Sequence, residues 1–349
     1  MHGKIPLMKP AVPKYMMEAN KEFLKWGIGW DLEKRPIQKV EIDESQIHSG
    51  DWLPITRFDG LDPMIMYGSG SHVGHSVMAL WFEEDGQREL YIVESQDAWY
   101  WPVHRIQRNK FSEWIKHAED ASFHVVHMPL SDEMRAKFNE TAAREYFFKT
   151  EGLPYGYHNF LFGWIDTPYE NLPIMLPKDF VQVAFSILER FDHNVTQIFF
   201  TDALNQRLGT EGLNITEVTI EANKKNMTIP DLWSMVEQDG WKYSGFYHDG
   251  EAMVCSSYVA ALWKAGGIFG DLEINAVEFT PKDLYQMNIF NPAPERPDQC
   301  VKADPNSKWC QLLGEYRLTF PEFNTVDLYQ HMNDHCPSIA PEFVRPANC

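Results

Sequence analysis

The sequence predicts an α+β protein in which a helix packs against an antiparallel sheet. Apolar runs at 75–82 and 89–94 flank the polar turn Glu83-Glu84-Asp85-Gly86, a pattern typical of a β-hairpin. Residues 251–265 place apolar side chains on one helical stripe and are followed by two glycines, which predicts a helix. With 349 residues, 44% of them hydrophobic, the chain can bury a substantial core.

The other elements follow from local periodicity. Residues 15–26 form an amphipathic segment, and residues 41–58 predict short extended pieces. Residues 131–149 predict one helix, with Ser131 as its N-cap and apolar residues at four-residue steps. Further helical patterns occur at 178–191, 195–207 and 230–238.

These elements divide the chain into five segments. We expect an N-terminal extension at 1–44, a core built from 45–163 and 251–290, a helical insertion at 164–250 that could form a lid, and a Cys/Pro-rich C-terminal tail at 291–349.

Composition excludes some partners. The net charge of −19 repels nucleic-acid phosphates and anionic lipids, and no dense run of Lys and Arg offsets it. We therefore expect no nucleic-acid partner. No apolar run approaches the roughly 18 to 20 residues that span a bilayer, so the sequence predicts no transmembrane segment. Oligomeric state is left open.

Cysteine usage points to an oxidising compartment. Four cysteines lie in the last 50 residues and predict two disulfides with three possible connectivities: Cys300, Cys310, Cys336 and Cys349. Cys255 is the odd thiol, which suggests chemistry, although a small buried hydrophobe is the alternative.

Four Asn-x-Thr motifs agree with this compartment as candidate glycosylation sites: Asn139, Asn194, Asn214 and Asn226. Chance matches of so short a motif are the alternative. We expect a secreted protein or one of the lysosomal or vesicular lumen, with a signal peptide not visible in this numbering. A cytoplasmic location is the alternative.

The predicted hairpin brings together an imidazole and a carboxylate. A turn centred on Glu84 and Asp85 pairs Trp81 with Arg88 and His75 with Glu94. Because directly opposed side chains share a face of the sheet, we expect the His75 and Glu94 side chains to be adjacent.

Cys255 has the surroundings of a nucleophile. It lies in the first turn or two of the predicted 251–265 helix, where unpaired N–H groups and the helix dipole favour a thiolate. His75 could serve as its base, with Glu94 fixing the imidazole tautomer. N–H groups near Cys255 and Ser256 could hold an oxyanion.

These residues carry a resemblance. The segments 68–76, Val93-Glu94 and 254–261 resemble the permuted NlpC/P60 papain-like superfamily, in its YiiX-like branch, over roughly residues 45–160 and 250–290. The superfamily also includes lecithin:retinol acyltransferase-like and PPPDE-type enzymes. The resemblance implies a circularly permuted papain-like fold, with a helical insertion and a disulfide-stapled C-terminal tail. It also implies a catalytic set of Cys255, His75 and Glu94.

A further segment, Gly152-Leu153-Pro154-Tyr155-Gly156, is similar to the Gly-x-Pro-Tyr segment that precedes the nucleophile in this superfamily. By that analogy Tyr155 borders the oxyanion site. The chain departs from the family because about 90 residues separate this segment from the Cys helix. A structural tyrosine is the alternative.

Other polar residues give weaker indications of a functional role. The spacing of His72 and His75 suits two metal ligands on a helix, whereas these residues lie at a predicted turn and at the start of a strand. We therefore expect no metal and no cofactor. Asp97 and His104 could line the cleft or belong to a solvated loop.

The sequence thus predicts a cysteine hydrolase, peptidase- or amidase-like, acting on an amide, ester or thioester bond through a thioacyl intermediate. Expected substrates are a peptide, an amide or an acyl lipid. One alternative is a lipid acyltransferase or phospholipase of the lecithin:retinol acyltransferase-like type. The other is a non-catalytic structural or binding protein that retains the fold.

Overall fold

The computed structural model describes residues 11–84, 86–97, 105–164, 178–245, 247–293 and 295–328. Its centre is one six-stranded antiparallel sheet with the strand order β4-β3-β2-β1-β5-β6. The strands are β1 (Trp52–Thr56), β2 (His75–Glu84), β3 (Gln87–Ser95), β4 (Ile106–Lys110), β5 (His124–His127) and β6 (Cys310–Leu313). The α+β class predicted from the sequence is confirmed.

Helices account for most of the remaining regular structure. They are α1 (Lys14–Ile28), α2 (Asp62–Ser69), α3 (Phe111–Asp120), α4 (Asp132–Lys137), α5 (Glu140–Thr150), α6 (Asn159–Phe162), α7 (Lys178–Phe191), α8 (His193–Thr196), α9 (Asp202–Leu208), α10 (Ile215–Lys224), α11 (Ile229–Trp233), α12 (Cys255–Ala265), α13 (Pro281–Gln286) and α14 (Asp298–Ala303). No helix among the described residues combines the length and apolar character needed to cross a bilayer.

The hairpin of β2 and β3 forms with a corrected register. Glu84 pairs with Gln87 and Trp81 pairs with Leu90 rather than with Arg88. Gly86 lies in the turn with a φ of 77°, a conformation that favours glycine. The partners are displaced by two residues from the prediction, and because side chains alternate with a period of two, each keeps its predicted face.

Helix α12 packs on one face of this hairpin. Val259, Leu262 and Trp263 share a core with Met78 and Val93. The helix begins at Cys255, four residues later than the predicted start at residue 251, because the preceding chain is extended and Val254 is its N-cap. This start places the cysteine in the first turn.

The predicted helix at 131–149 is two helices. Ser131 does cap the first, accepting a hydrogen bond from the Met134 N–H. The chain then becomes extended at Phe138, and the Asn139 side chain caps α5. The Asn139 N–H donates to the Gly266 carbonyl at 2.8 Å, so docking against the end of α12 breaks the helix.

The insertion contains its own apolar cluster, which includes Phe200, Leu204, Val218 and Leu232. Helix α7 has the predicted bounds. The pattern at 195–207 is interrupted by a five-residue π-helix between α8 and α9, and the pattern at 230–238 yields only α11. The α12 and hairpin residues named above belong to a separate apolar cluster: Val259, Leu262, Trp263, Met78 and Val93.

The C-terminal segment contains a disulfide and also contributes a strand to the central sheet. Cys300 and Cys310 form a disulfide, whereas Cys336 and Cys349 lie outside the described residues. Strand β6 pairs with β5 and completes the sheet. The N-terminal extension also joins this edge, since the Arg35 guanidinium donates to the carbonyls of Gln311 and Gly314. Both segments therefore belong to the sheet architecture.

Candidate functional site

His75 and Glu94 meet at one end of the central hairpin. His75 is the first residue of β2 and Glu94 lies near the end of β3. Their Nε2 and Oε2 atoms are 3.0 Å apart, and the residues are only 6% and 1% exposed. In the observed register they are diagonal rather than directly opposed neighbours. The structure thus places the two predicted side chains in contact.

Cys255 joins this pair from the N-terminus of α12. It is a free, fully buried thiol whose side chain is hydrogen-bonded to His75. Since Glu94 occupies Nε2 of the imidazole, Nδ1 is the ring nitrogen left for the sulfur. The predicted Cys255, His75 and Glu94 are therefore brought together across 180 residues of sequence.

The electrostatics of the site favour a charged imidazole. Burial alone would lower the pKa of His75, but the neighbouring Cys255 and Glu94 outweigh it and raise the pKa well above its ordinary value. An imidazolium held between a sulfur and a carboxylate stabilises negative charge on both partners. A free thiol hydrogen-bonded to an imidazole, with a carboxylate on the other side of the ring, is the arrangement that nucleophilic cysteine chemistry uses.

The start of α12 offers hydrogen-bond donors to a ligand. Val254 is the N-cap residue and makes no side-chain cap hydrogen bond. The first backbone N–H groups of a helix have no partner within it, so those near Cys255 and Ser256 are donors without a side-chain cap. The Ser256 hydroxyl is also buried and unpaired in the described structure, whereas Ser257 donates to the Val277 carbonyl.

Tyr155 also reaches the cysteine. Its hydroxyl donates to Cys255 Sγ at 3.9 Å. Burial, followed by the charges of Cys255 and Asp97, raises the pKa of Tyr155 well above its ordinary value, so the side chain stays a neutral donor. Tyr155 therefore borders the thiol and presents a donor to it.

A clasp of residues 155–159 holds the chain that leads into α12. The Gly156 N–H donates to the Met253 carbonyl at 3.1 Å, and the Val254 N–H donates to Asn159 Oδ1 at 3.0 Å. A Cβ on Gly156 would lie 2.7 Å from the Ala252 oxygen and from the Met253 backbone. Only glycine allows the two backbones to approach so closely.

Sequence reasoning missed the role of Asn159. Gly156 was visible as the end of the Gly-x-Pro-Tyr-Gly segment, and its close approach could have been suspected. Asn159 has no comparable local signal, because its partner Val254 is 95 positions away.

A buried acid beside the site was also missed. Burial, then the charge of Asp59, raises the pKa of Asp62 well above its ordinary value, against an opposing contribution from His75. Asp62 Oδ2 accepts the Arg57 N–H at 2.9 Å. A Cβ on Gly74 would meet Asp62 Cγ at 2.3 Å, so this glycine gives the carboxyl its space.

The remaining polar candidates differ in their position relative to the site. Asp97 is buried and influences the pKa values of Tyr155 and Asp62, which places it beside the site. His104 lies outside the described residues. His72 donates from Nδ1 to the Thr319 carbonyl at 2.9 Å, and burial lowers its pKa to about 4. A neutral, hydrogen-bonded His72 is a structural residue.

The glycosylation candidates lie at helix ends and turns. Asn139 and Asn214 are N-cap residues whose side chains accept backbone N–H bonds, and Asn214 forms a capping box. Asn194 is exposed in α8, and Asn226 is exposed with a positive φ of 55°. Capping and turn formation explain three of these asparagines without glycosylation.

Three partly exposed aromatic residues, Tyr157, Phe160 and Trp164, pack against the buried group of Tyr155, Val254 and Cys255. We call these three the aromatic shell. Phe160 lies between the other two rings, with its centroid 4.8 Å from that of Trp164 and 6.4 Å from that of Tyr157. The shell therefore forms an apolar wall beside the thiol.

Comparison with known proteins adds no assignment. No family model, curated protein or solved structure matches the chain. The chemical interpretation of the site therefore depends on its geometry and on the sequence motifs.

Proposed function

We propose that the protein is a cysteine hydrolase that cleaves an amide, ester or thioester acyl bond. The observation that carries the proposal is His75, which is hydrogen-bonded to Glu94 on one side and to Cys255 on the other. Cys255 is also the first residue of a helix whose N-cap supplies no side-chain acceptor. A nucleophile, a base, an orienting carboxylate and oxyanion donors are the parts that acyl transfer needs.

In the proposed mechanism the Cys255 thiolate attacks the substrate carbonyl carbon. The carbonyl oxygen becomes an oxyanion, which N–H groups near Cys255 and Ser256 hold. The His75 imidazolium gives its proton to the leaving group as the acyl bond breaks, leaving a thioester on Cys255. Neutral His75 then takes a proton from water, whose oxygen attacks the thioester and releases the acid and the thiolate.

Glu94 supports both proton transfers. Its carboxylate accepts from Nε2, which keeps Nδ1 directed at Cys255 and stabilises the imidazolium. Because the pair is almost fully buried, water screens this interaction little.

Substrate access requires movement. Cys255 has no exposed surface, so a carbonyl carbon reaches its sulfur only when neighbouring side chains move. Among the described residues, the aromatic shell is a partly exposed group packed against the buried thiol, and its displacement would open a path to the sulfur. An apolar group next to the scissile carbonyl suits this wall better than a charged one.

The finer fold assignment belongs to this proposal. A Cys-bearing helix packed on an antiparallel sheet, with the His strand earlier in the chain, supports the circularly permuted papain-like topology of the NlpC/P60 superfamily. The resemblance of segments 68–76 and 254–261 supports the same choice.

A second candidate is a lipid acyltransferase or phospholipase that uses the same three residues. One observation favours it: α7 exposes an apolar stripe formed by Phe180, Val183, Ile187 and Phe191, each more than half exposed. Their spacing places them along one side of the helix, as in segments that lie on lipid surfaces. Sedimentation with zwitterionic vesicles, and its loss in Ile187→Ser, would favour this candidate.

The test of the main proposal is alkylation of Cys255. Native protein is treated with iodoacetamide from pH 4 to 9, and labelling of the Cys255 peptide is quantified by mass spectrometry. We expect labelling well below the pH of about 8.5 at which a free thiol ionises, and a loss of that low-pH reactivity in His75→Ala. The exposed His248→Ala is the matched control.

Denatured samples set the maximum labelling. No labelling of the native thiol, or the same profile in His75→Ala, would support a non-catalytic protein instead. A covalent substrate adduct on a residue other than Cys255 would overturn the nucleophile assignment.

The proposed compartment is the secretory or lysosomal lumen. The Cys300–Cys310 disulfide supports it, because disulfides persist in oxidising compartments. A mass decrease after N-glycosidase treatment of the protein from its native source is the expected result. Unchanged mass would favour the cytoplasmic alternative.

A further inference from the structure

The side-chain amide of Asn159 is fixed beside the nucleophile. Asn159 is fully buried, and its Oδ1 accepts the Val254 N–H at 3.0 Å. The N–H is a donor, so the atom facing it must be the amide oxygen, which settles the orientation of the amide group. The amide group is therefore fixed against the backbone of Val254, the residue directly before Cys255.

This Nδ2 group has two donor hydrogens and no acceptor. It is buried without a hydrogen-bond partner among the residues that the structure describes. Buried amides in native proteins are normally paired, so an unpaired one requires an explanation, and a catalytic role is one such explanation. The missing group here is an acceptor, and the amide is bonded to the residue before the cysteine that attacks carbonyl carbons in the proposed function.

We propose that Asn159 Nδ2 donates a hydrogen bond to the carbonyl oxygen of the bound substrate and to the oxyanion that forms from it. The inference rests on the proposed function and adds a side-chain donor to the backbone N–H groups at the start of α12. It makes Asn159 a catalytic residue, because Nδ2 touches the reacting oxygen.

The surroundings of Asn159 suit such a donor. Its backbone N–H donates to the Gly156 carbonyl, and its own carbonyl accepts the N–H groups of Gly163 and Trp164. With Oδ1 also bonded, the amide needs no reorganisation when negative charge develops, which is the condition for effective oxyanion stabilisation. The Tyr155 hydroxyl is directed at Cys255 Sγ instead.

The test compares two reactions of Cys255 in the same protein. In alkylation the thiolate displaces iodide from iodoacetamide at a saturated carbon, and no oxyanion forms. In acylation the thiolate adds to the carbonyl of p-nitrophenyl acetate, an oxyanion forms, and p-nitrophenolate leaves to give the acetyl thioester. A donor to the oxyanion affects only the second reaction.

The variant is Asn159→Asp. It keeps the size of the side chain and an oxygen for the Val254 N–H, but replaces the donor by a second oxygen. Because the new carboxylate also changes the ionisation of the thiol, both rates are compared at a pH where Cys255 is fully ionised. There we expect acylation to slow roughly 100- to 1,000-fold, the range for removal of one oxyanion donor, while alkylation changes less than about threefold. Asn205→Asp is the control, because Asn205 is a buried amide in the insertion with both of its side-chain ends paired.

Equal slowing of both reactions in Asn159→Asp would show that Asn159 only positions Cys255, and would overturn the inference. Unchanged acylation would overturn it as well. A wild-type protein that is alkylated at Cys255 but never forms the acetyl thioester would instead refute the proposed function, and the inference would fall with it.

Discussion

Replacement of Glu94 by Gln tests the electrostatic basis of the site. Glu94 Oε2 lies 3.0 Å from His75 Nε2, and both side chains are almost completely buried. Glu94 contributes to raising the pKa of His75, so its neutralisation lowers that pKa and weakens the imidazolium. The substitution keeps shape and hydrogen-bonding capacity, which isolates the charge.

The magnitude follows from the contact. A hydrogen bond to a charged group contributes roughly 1.5 to 3 kcal/mol, and every 1.36 kcal/mol is about a factor of ten in an equilibrium. We therefore expect the thiolate–imidazolium pair to become roughly 10- to 100-fold less populated. The alkylation rate of Cys255 near pH 6 should fall by the same factor.

The assay is the rate of iodoacetamide labelling of the Cys255 peptide between pH 4 and 9, with Glu83→Gln as the control. Glu83 lies on the same hairpin but is exposed, so its neutralisation should leave the profile unchanged. A Glu94→Gln profile that coincides with wild type would refute the argument that the carboxylate stabilises a charged His75. Urea unfolding of both variants checks that the fold survives.

Three further predictions concern stability. Gly156→Ala forces a Cβ to within 2.7 Å of the Met253 backbone, so we expect a loss of about 1 to 3 kcal/mol in urea unfolding together with slower Cys255 alkylation. Burial would raise the pKa of Asp51, but hydrogen bonds from His127 and His48 lower it from 3.8 to about 2. A depressed pKa adds stability that is present above pH 3.8 and is lost as the pH falls through about 2; the shift corresponds to about 2 kcal/mol. Asp51→Asn should show a flatter unfolding free energy between pH 4 and 2, and an equally steep curve would contradict the assignment. Reduction of the Cys300–Cys310 disulfide, which closes a short loop, should cost roughly 2 to 3 kcal/mol, seen as a lower Tm.

The contact between His75 and Glu94 could be predicted because it requires only that both side chains lie on the same face of the sheet. The observed turn is centred one residue beyond the predicted one, and in an antiparallel pair this moves each partner by two positions. Since side chains alternate every residue, a two-residue displacement leaves both on the same face. The long alternating strands therefore fixed the pair even though the turn was misplaced.

The features that were missed depend on distant partners. The break between α4 and α5 forms because Asn139 docks on Gly266, and β6 is a four-residue strand that forms by pairing with β5. Neither contact has a signal in local periodicity. Likewise Asn159 acquires its position from Val254, far along the chain. Tertiary contacts decide such elements, and a single sequence does not reveal them.

The position of β6 has a consequence for folding during synthesis. Strand β5 ends at residue 127, but its outer partner begins at residue 310, so roughly 180 residues must follow before the sheet can close. At 5 to 20 residues per second, synthesis of that stretch takes roughly 10 to 40 s. During this interval the outer backbone groups of β5 are an open edge, exposed to pairing with other chains. We therefore expect intermolecular pairing at that edge to be favoured until β6 has been synthesised.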